Sequence, residues 1–166
     1  MRKELKNTVL AAMSGDRNAF GVLYDEYSAD MYRFALSICK NIHDAQDAVQ
    51  ETALSVFKSI PSLKNPEKFK SYLFLSLSNA CKKKMAGKIS SAEFVDTGYT
   101  DSEIEFSIPV REALLKLDDI SREILMMSVA CGFKSREIGE MMNIPAATVR
   151  TKRKRALSKM REELEL

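Results

Sequence analysis

Apolar residues recur three and four positions apart over long stretches of this chain, and that period decides what it can fold into. From Asp16 onward, Phe20, Leu23, Tyr24, Tyr27, Met31, Phe34, Ala35 and Ile38 mark one face of a helix. After Asn41 a second series runs through Ala45, Ala48, Val49, Thr52, Ala53, Val56, Phe57 and Ile60 until Pro61 stops it. Pro66 suits the opening of a third helix, with Phe69, Leu73, Leu77 and Ala80 as its buried stripe ahead of Lys82-Lys83-Lys84. A short helix over about 5–13 completes a bundle across residues 1–85. No period-2 pattern of useful length occurs, and 6 Gly and 4 Pro are too few for the turns of a β-sandwich. The expected fold class is all-α.

The helical period vanishes between residues 86 and 108, where Gly87, Ser90, Ser91, Gly98, Thr100 and Ser102 are mixed with acids. This reads as a flexible linker between two small helical domains, 1–85 and 109–166. The second resumes with Val110, Ala113, Leu114 and Leu117, then Ile120, Ile124, Leu125 and Val129, with Ser121 as an N-cap candidate. Two further helices are expected over about 135–142 and 145–163. Between them, Asn143 tolerates the left-handed conformation that ends a helix, and Pro145 pushes Ile144 out of the helical region and suits the next first turn. The corner is that of a helix-turn-helix.

Charge is segregated along the chain. Residues 1–85 carry 13 basic and 9 acidic side chains, residues 86–110 carry 1 and 5, and residues 111–166 carry 12 and 9. Two basic blocks therefore flank an acidic strip containing Glu93, Asp96, Asp101, Glu103 and Glu105. Cys39, Cys81 and Cys131 are odd in number and form no CxxC pair, which argues against a disulfide framework or a zinc site and suits a reducing cytoplasm. No apolar run approaches a membrane span. His43 is the only histidine, and Gly87-Lys88-Ile89-Ser90 lacks the earlier glycine of a phosphate loop, Lys82 standing there. No catalytic residue, metal, cofactor or small-molecule substrate is expected.

The last helix carries seven basic residues and no acid from Arg150 to Arg161. Solvated helical faces usually alternate in sign, so a one-sign run directly after a helix-turn corner points to DNA. Val149, Ala156, Met160 and Leu164 share one side. That leaves Arg150, Thr151, Lys154 and Arg155 outward as donors for base edges and phosphates, and Lys159 farther along as a phosphate contact. In the second helix, Asp44, Asp47, Gln50 and Glu51 fall opposite the apolar face as a polar strip.

These segments resemble a known family. The stretch DAQDAVQET (44–52) is similar to the DAEDLVQET signature of bacterial RNA polymerase sigma factors of the short, two-domain extracytoplasmic-function (ECF) type. PEKFKSYLFLSLSNACKKK (66–84) resembles the family's P-x-x-F-x-x-W-L-x-x-I-x-x-N segment at Pro66, Phe69, Leu73 and Asn79. REIGEMMNIPAATVRTKRKRAL (136–157) resembles EIAEILGIPVGTVKSRLHRAR at Glu137, Ile138, Glu140, Ile144, Pro145, Thr148, Val149, Arg155 and Ala156. Departures are Tyr72 for Trp, Leu77 for Ile, Asp118 for Pro, Ala147 for Gly, and Arg153 for an apolar residue, the last bearing on how tightly the recognition helix packs. They mark a divergent member.

The resemblance implies that Asp44, Asp47, Gln50 and Glu51 dock on the clamp of the largest subunit of core polymerase, a basic and polar surface, with the flap as a further contact. It implies that Lys64, Asn65, Lys68, Phe69, Lys70, Tyr72, Asn79, Lys82 and Lys83 engage the minus-10 element, supplying the cations and aromatic faces that single strands need. Phe69 also fits the buried stripe. It implies minus-35 recognition by Thr148, Arg150, Thr151, Lys154 and Arg155, a linker threading the RNA exit path, and an anti-sigma partner. Two alternatives stand beside it. One is a helix-turn-helix regulator with a sensing N-terminal bundle; the other is a small nuclease holding Mg²⁺ on Asp44, Asp47 and Glu51, for which the chain offers no catalytic partner.

Overall fold

The computed structural model describes residues 1–86 and 106–166, and the acidic linker segment 87–105 with its expected role lies outside them. Among the described residues all regular structure is helical: α1 (Lys3–Met13), α2 (Arg17–Cys39), α3 (Ile42–Ser59), α4 (Phe69–Met85), α5 (Ile108–Leu115), α6 (Asp119–Leu125), α7 (Ser135–Met142) and α8 (Ala146–Glu163). Short 3₁₀ turns at Ile60–Ser62 and Pro66–Lys68 join α3 to α4, and a π-turn at Met126–Ala130 extends α6.

The helix starts follow from local chemistry. The Asp16 carboxylate accepts the Ala19 N–H at 3.1 Å to open α2, and the Asn41 side chain accepts the Asp44 N–H at 3.1 Å to open α3. Lys40 turns left-handed between them, at φ 57°. Asp118, rather than Ser121, caps α6: its carboxylate accepts the Ser121 N–H at 2.9 Å, and Ser121 lies buried inside the helix. That bond holds the Asp118 carboxyl below its ordinary range.

The N-terminal helices enclose Leu23, Met31, Phe34, Ala45, Ala48, Val56, Phe69 and Leu77. Most of the expected stripes are inside. Phe57, Ile120 and Val129 are not, being 38 %, 49 % and 62 % exposed. Val129 sits in the π-turn, which rotates the face away from a 3.6-residue period.

α4 buries a second stripe, Phe74, Ser78 and Cys81, because the C-terminal helices pack upon it. The Phe74 ring meets Tyr27, Phe34 and, from the other helical group, Phe133, with centroids 6.3, 6.2 and 5.5 Å away. The two groups thus share one continuous core, which extends through Leu125, Met126, Met127, Ile138 and Val149.

Candidate functional site

Three surfaces carry the side chains singled out by sequence. The first is α3. With Asn41 setting the register, Ala45, Ala48, Val49, Thr52 and Val56 turn inward, while Asp47, Gln50 and Glu51 are exposed and Asp44 is half-buried. Glu51 accepts from the Lys84 ammonium at 2.9 Å, which holds Lys84 above the usual ammonium range. Beyond this strip the surface turns apolar. Leu54 is 62 % exposed, and Phe57 stands edge-on to Phe20 with centroids 5.2 Å apart, beside Gly21 and Tyr24 of α2. Assignment of Phe57 to the core hid this groove from the sequence reading.

The second surface spans the 3₁₀ turns and α4. Lys64, Asn65, Lys68, Asn79, Lys82 and Lys83 are exposed, and the Asn65 side chain caps its own turn by accepting the Glu67 N–H at 3.0 Å. Tyr72 is half-buried with its hydroxyl 2.5 Å from that of Ser59. Phe69 corrects the expectation: it is 1 % exposed and packs beside Tyr27, so no base can stack on it in this structure. Lys70 is half-buried, lies 4.6 Å from the Phe133 ring centre and donates to the Cys131 carbonyl.

The third surface is the α7–α8 pair. Glu137 accepts the Lys134 N–H at 3.0 Å at the start of α7, and Asn143 ends it at φ 57°, as its tolerance of the left-handed region predicts. Pro145 stands one residue before α8 as its N-cap rather than inside the first turn. Sequence reasoning missed Gly139. A Cβ there would lie 2.7 Å from the Ile144 carbonyl oxygen, so only glycine lets the turn close this tightly.

On α8, Val149 and Ala156 are buried. Arg150, Thr151, Lys154 and Arg155 are exposed together, and Thr148 is half-buried at the edge of that face. Arg153 is exposed as well, so its replacement of an apolar residue opens no hole in the packing. Lys159 departs from expectation: its ammonium donates to the Lys116 carbonyl at 2.6 Å, tying α8 to the end of α5 instead of facing a phosphate. Among the described residues no group of His, Cys, Asp and Glu is gathered that could hold a metal, so Asp44, Asp47 and Glu51 form no such set.

A single chain thus presents an acidic strip, a basic and aromatic ridge and a helix-turn-helix with a cationic outer face. Residues 23–88 match the family described as Sigma-70 region 2, and residues 107–160 match Sigma-70, region 4. The RNA polymerase sigma factor SigV of Bacillus subtilis is 30 % identical over 146 residues, covering 84 % of this chain and 87 % of the relative. The ECF RNA polymerase sigma factor SigW of the same organism is 26 % identical over 184 residues, covering 99 % and 98 %. Two solved structures share the fold. CnrH in complex with the cytosolic domain of CnrY aligns at a TM-score of 0.76 and 22 % identity over 96 % of each chain. RpoE in complex with the anti-sigma factor NepR from Bartonella quintana aligns at 0.69 and 21 %, over 87 % of this chain and 97 % of that one.

The chain belongs to the RNA polymerase sigma factors of the sigma-70 family, in its ECF class. Its function is to direct core polymerase to promoters in transcription, with core polymerase and promoter DNA as its partners. The regulator and nuclease alternatives are set aside by this assignment. No described helix is long and apolar enough to cross a membrane.

Proposed function

We propose that the sigma-factor work divides between residues 1–85, which bind core polymerase and open the minus-10 element, and residues 109–166, which read the minus-35 element. Asp44, Asp47, Gln50 and Glu51 carry the docking on the clamp. Lys64, Asn65, Lys68, Lys70, Tyr72, Asn79, Lys82 and Lys83 engage the minus-10 DNA, Phe69 being withdrawn to the core. Thr148, Arg150, Thr151, Lys154 and Arg155 face the minus-35 duplex, and the C-terminal unit meets the flap. The observation that carries the reading is α8: a helix that keeps Val149 and Ala156 inside and sets Arg150, Thr151, Lys154 and Arg155 outside, directly after a turn closed by Gly139 and Asn143.

The factor performs no bond chemistry. Promoter opening draws on binding alone, since each base taken from the stack costs a few kcal/mol and stacking and cation contacts of similar size offset it. It works in the cytoplasm, where polymerase and promoters are. A proteinaceous inhibitor of the anti-sigma kind is a further partner, supported by the fold shared with a chain solved in complex with the anti-sigma factor NepR. Run-off transcription by purified core polymerase on a genomic fragment library tests the whole reading. Addition of the chain is expected to create new start sites sharing an upstream element. Transcription identical with and without it would overturn the assignment.

A further inference from the structure

Several of the minus-10 residues are already occupied by the other half of the chain. Lys70 holds its ammonium over the Phe133 ring, 4.6 Å from the centroid, and donates to the Cys131 carbonyl. Both partners come from one turn, which Gly132 makes possible by adopting φ 75°. Lys68 reaches Glu140 of α7 at 3.5 Å, and Lys82 reaches Glu123 of α6 at 3.0 Å. Glu123 is itself 3 % exposed and accepts from the buried Ser78 hydroxyl at 2.5 Å, so its carboxylate is fixed on α4 at the ridge that would receive DNA. Phe133 is 4 % exposed and packs edge-on to Phe74, which seals the same seam with apolar surface.

A phosphate backbone running along this ridge needs Lys68, Lys70 and Lys82 together, and here each meets an acid, a carbonyl or a ring from the C-terminal helices. The other surfaces are left open: Arg150, Thr151, Lys154 and Arg155 of α8 are exposed, and so are Asp47, Gln50 and Glu51 of α3. We infer that the Cys131-Gly132-Phe133 turn, with Glu123 and Glu140, is an autoinhibitory latch that covers the minus-10 ridge of the free chain while leaving its polymerase-docking strip and minus-35 helix accessible. The latch rests on the minus-10 assignment made above and adds an order to it. Core polymerase can dock on the closed chain, and the ridge is released only when the C-terminal helices leave α4. Free factor is thereby kept off single-stranded DNA.

The test compares full-length chains for binding to a fluorescein-labelled single-stranded DNA 20-mer of mixed sequence, read by fluorescence anisotropy. One opened variant carries Glu123→Gln and Glu140→Gln, which preserve shape; a second adds Phe133→Ala. Circular dichroism reports whether the second folds, and the first decides alone if it does not. A control with Glu4→Gln and Asp25→Asn removes the same number of acids away from the seam. The opened variants are expected to bind at least fivefold tighter than the parent, the control less than twofold tighter. Adding Lys68→Ala and Lys70→Ala should abolish the gain. Equal affinity of parent and opened chains, with binding lost from both on the lysine substitutions, would overturn the latch and leave the minus-10 assignment standing. Absence of binding in all chains, or binding indifferent to Lys68 and Lys70, would remove the assignment and the latch together.

Discussion

The Phe133 ring stands edge-on to that of Phe74, centroids 5.5 Å apart and planes at 79°, and this contact fuses the two helical groups into one core. Phe74 is fully buried and meets three other rings, so its truncation leaves a cavity that helices anchored at several points cannot close. Phe74→Ala is expected to cost about 3–5 kcal/mol, measured by urea denaturation of the full chain. It should also split a single transition into two, because the lost ring belongs to both groups. A cost below about 1 kcal/mol would mean that the groups separate readily and that the seam holds little of the core.

The turn of the helix-turn-helix depends on Gly139. A methyl group 2.7 Å from the Ile144 carbonyl oxygen must push backbone against backbone, since no flexible side chain is there to yield. Gly139→Ala is therefore expected to destabilise by about 1–3 kcal/mol despite the better helix propensity of alanine. Gly21, which would meet nothing within 4 Å, supplies the contrast: Gly21→Ala should stabilise α2 by up to about 1 kcal/mol. Thermal melts of the two variants should move in opposite directions.

Asp118 links stability to pH. Its carboxylate is held below the ordinary value of 3.8, chiefly by the Ser121 N–H that it accepts. A depressed folded pKa contributes stability that is fully present above the unfolded value and is lost as pH falls through the folded one. Asp118→Ala should thus cost about 1 kcal/mol near neutrality, as N-cap losses do. The gap between parent and variant should narrow below about pH 4, within the range set by that carboxyl. Denaturant titrations at pH 7 and pH 3 check this, and an equal gap at both would show that the carboxylate charge contributes nothing to the cap.

Docking on polymerase can be tested without touching the core. Asp47 and Glu51 are exposed on α3, and only Glu51 has an ion pair, with Lys84 at a surface where such pairs contribute about 0–1 kcal/mol. Replacing both by Lys should leave the helical dichroism intact and abolish stable co-purification with core polymerase. Substituting exposed Leu54 by Ser asks separately whether the neighbouring groove contributes. Undiminished co-purification of the Asp47→Lys, Glu51→Lys chain would remove the strip from the docking surface.

How much of this was legible beforehand depended on where each residue finds its partner. The caps Asp16 and Asn41 and the left-handed Asn143 act within three or four residues of themselves, so sequence alone places α2, α3 and the α7–α8 corner. Phe74, Ser78 and Cys81 were invisible as a stripe because the surface they face comes from residues more than 40 positions later. Phe57 was misread for the opposite reason: its spacing is that of a core residue, but α2 covers only one edge of it. The same long-range packing conceals Lys70 and Lys82 in contacts that no local pattern encodes. On α8 the exposed set matched the expected one, because a single buried stripe through Val149 and Ala156 determines it.

That stripe makes the recognition helix the sharpest test of all. Arg150 and Lys154 are four residues apart, so they share a face, and both are exposed. Arg150 lies in the N-terminal half of α8, the part of such a helix that reaches base edges, whereas Arg155 lies a turn farther along where the backbone passes. Loss of a base-reading arginine should cost about 1–3 kcal/mol and relax preference at one position, while loss of a phosphate contact weakens all sequences alike and lowers the salt slope by about one. Arg150→Ala is therefore expected to change which minus-35 sequence the polymerase holoenzyme selects from a randomised library. Arg155→Ala should weaken binding with the selected sequence unchanged. Lys159→Ala should do neither, because that ammonium is already held by the Lys116 carbonyl; its effect should appear as lost stability of the α5–α8 contact. Unchanged selection and affinity with Arg150→Ala would mean that a different face of α8 meets the duplex.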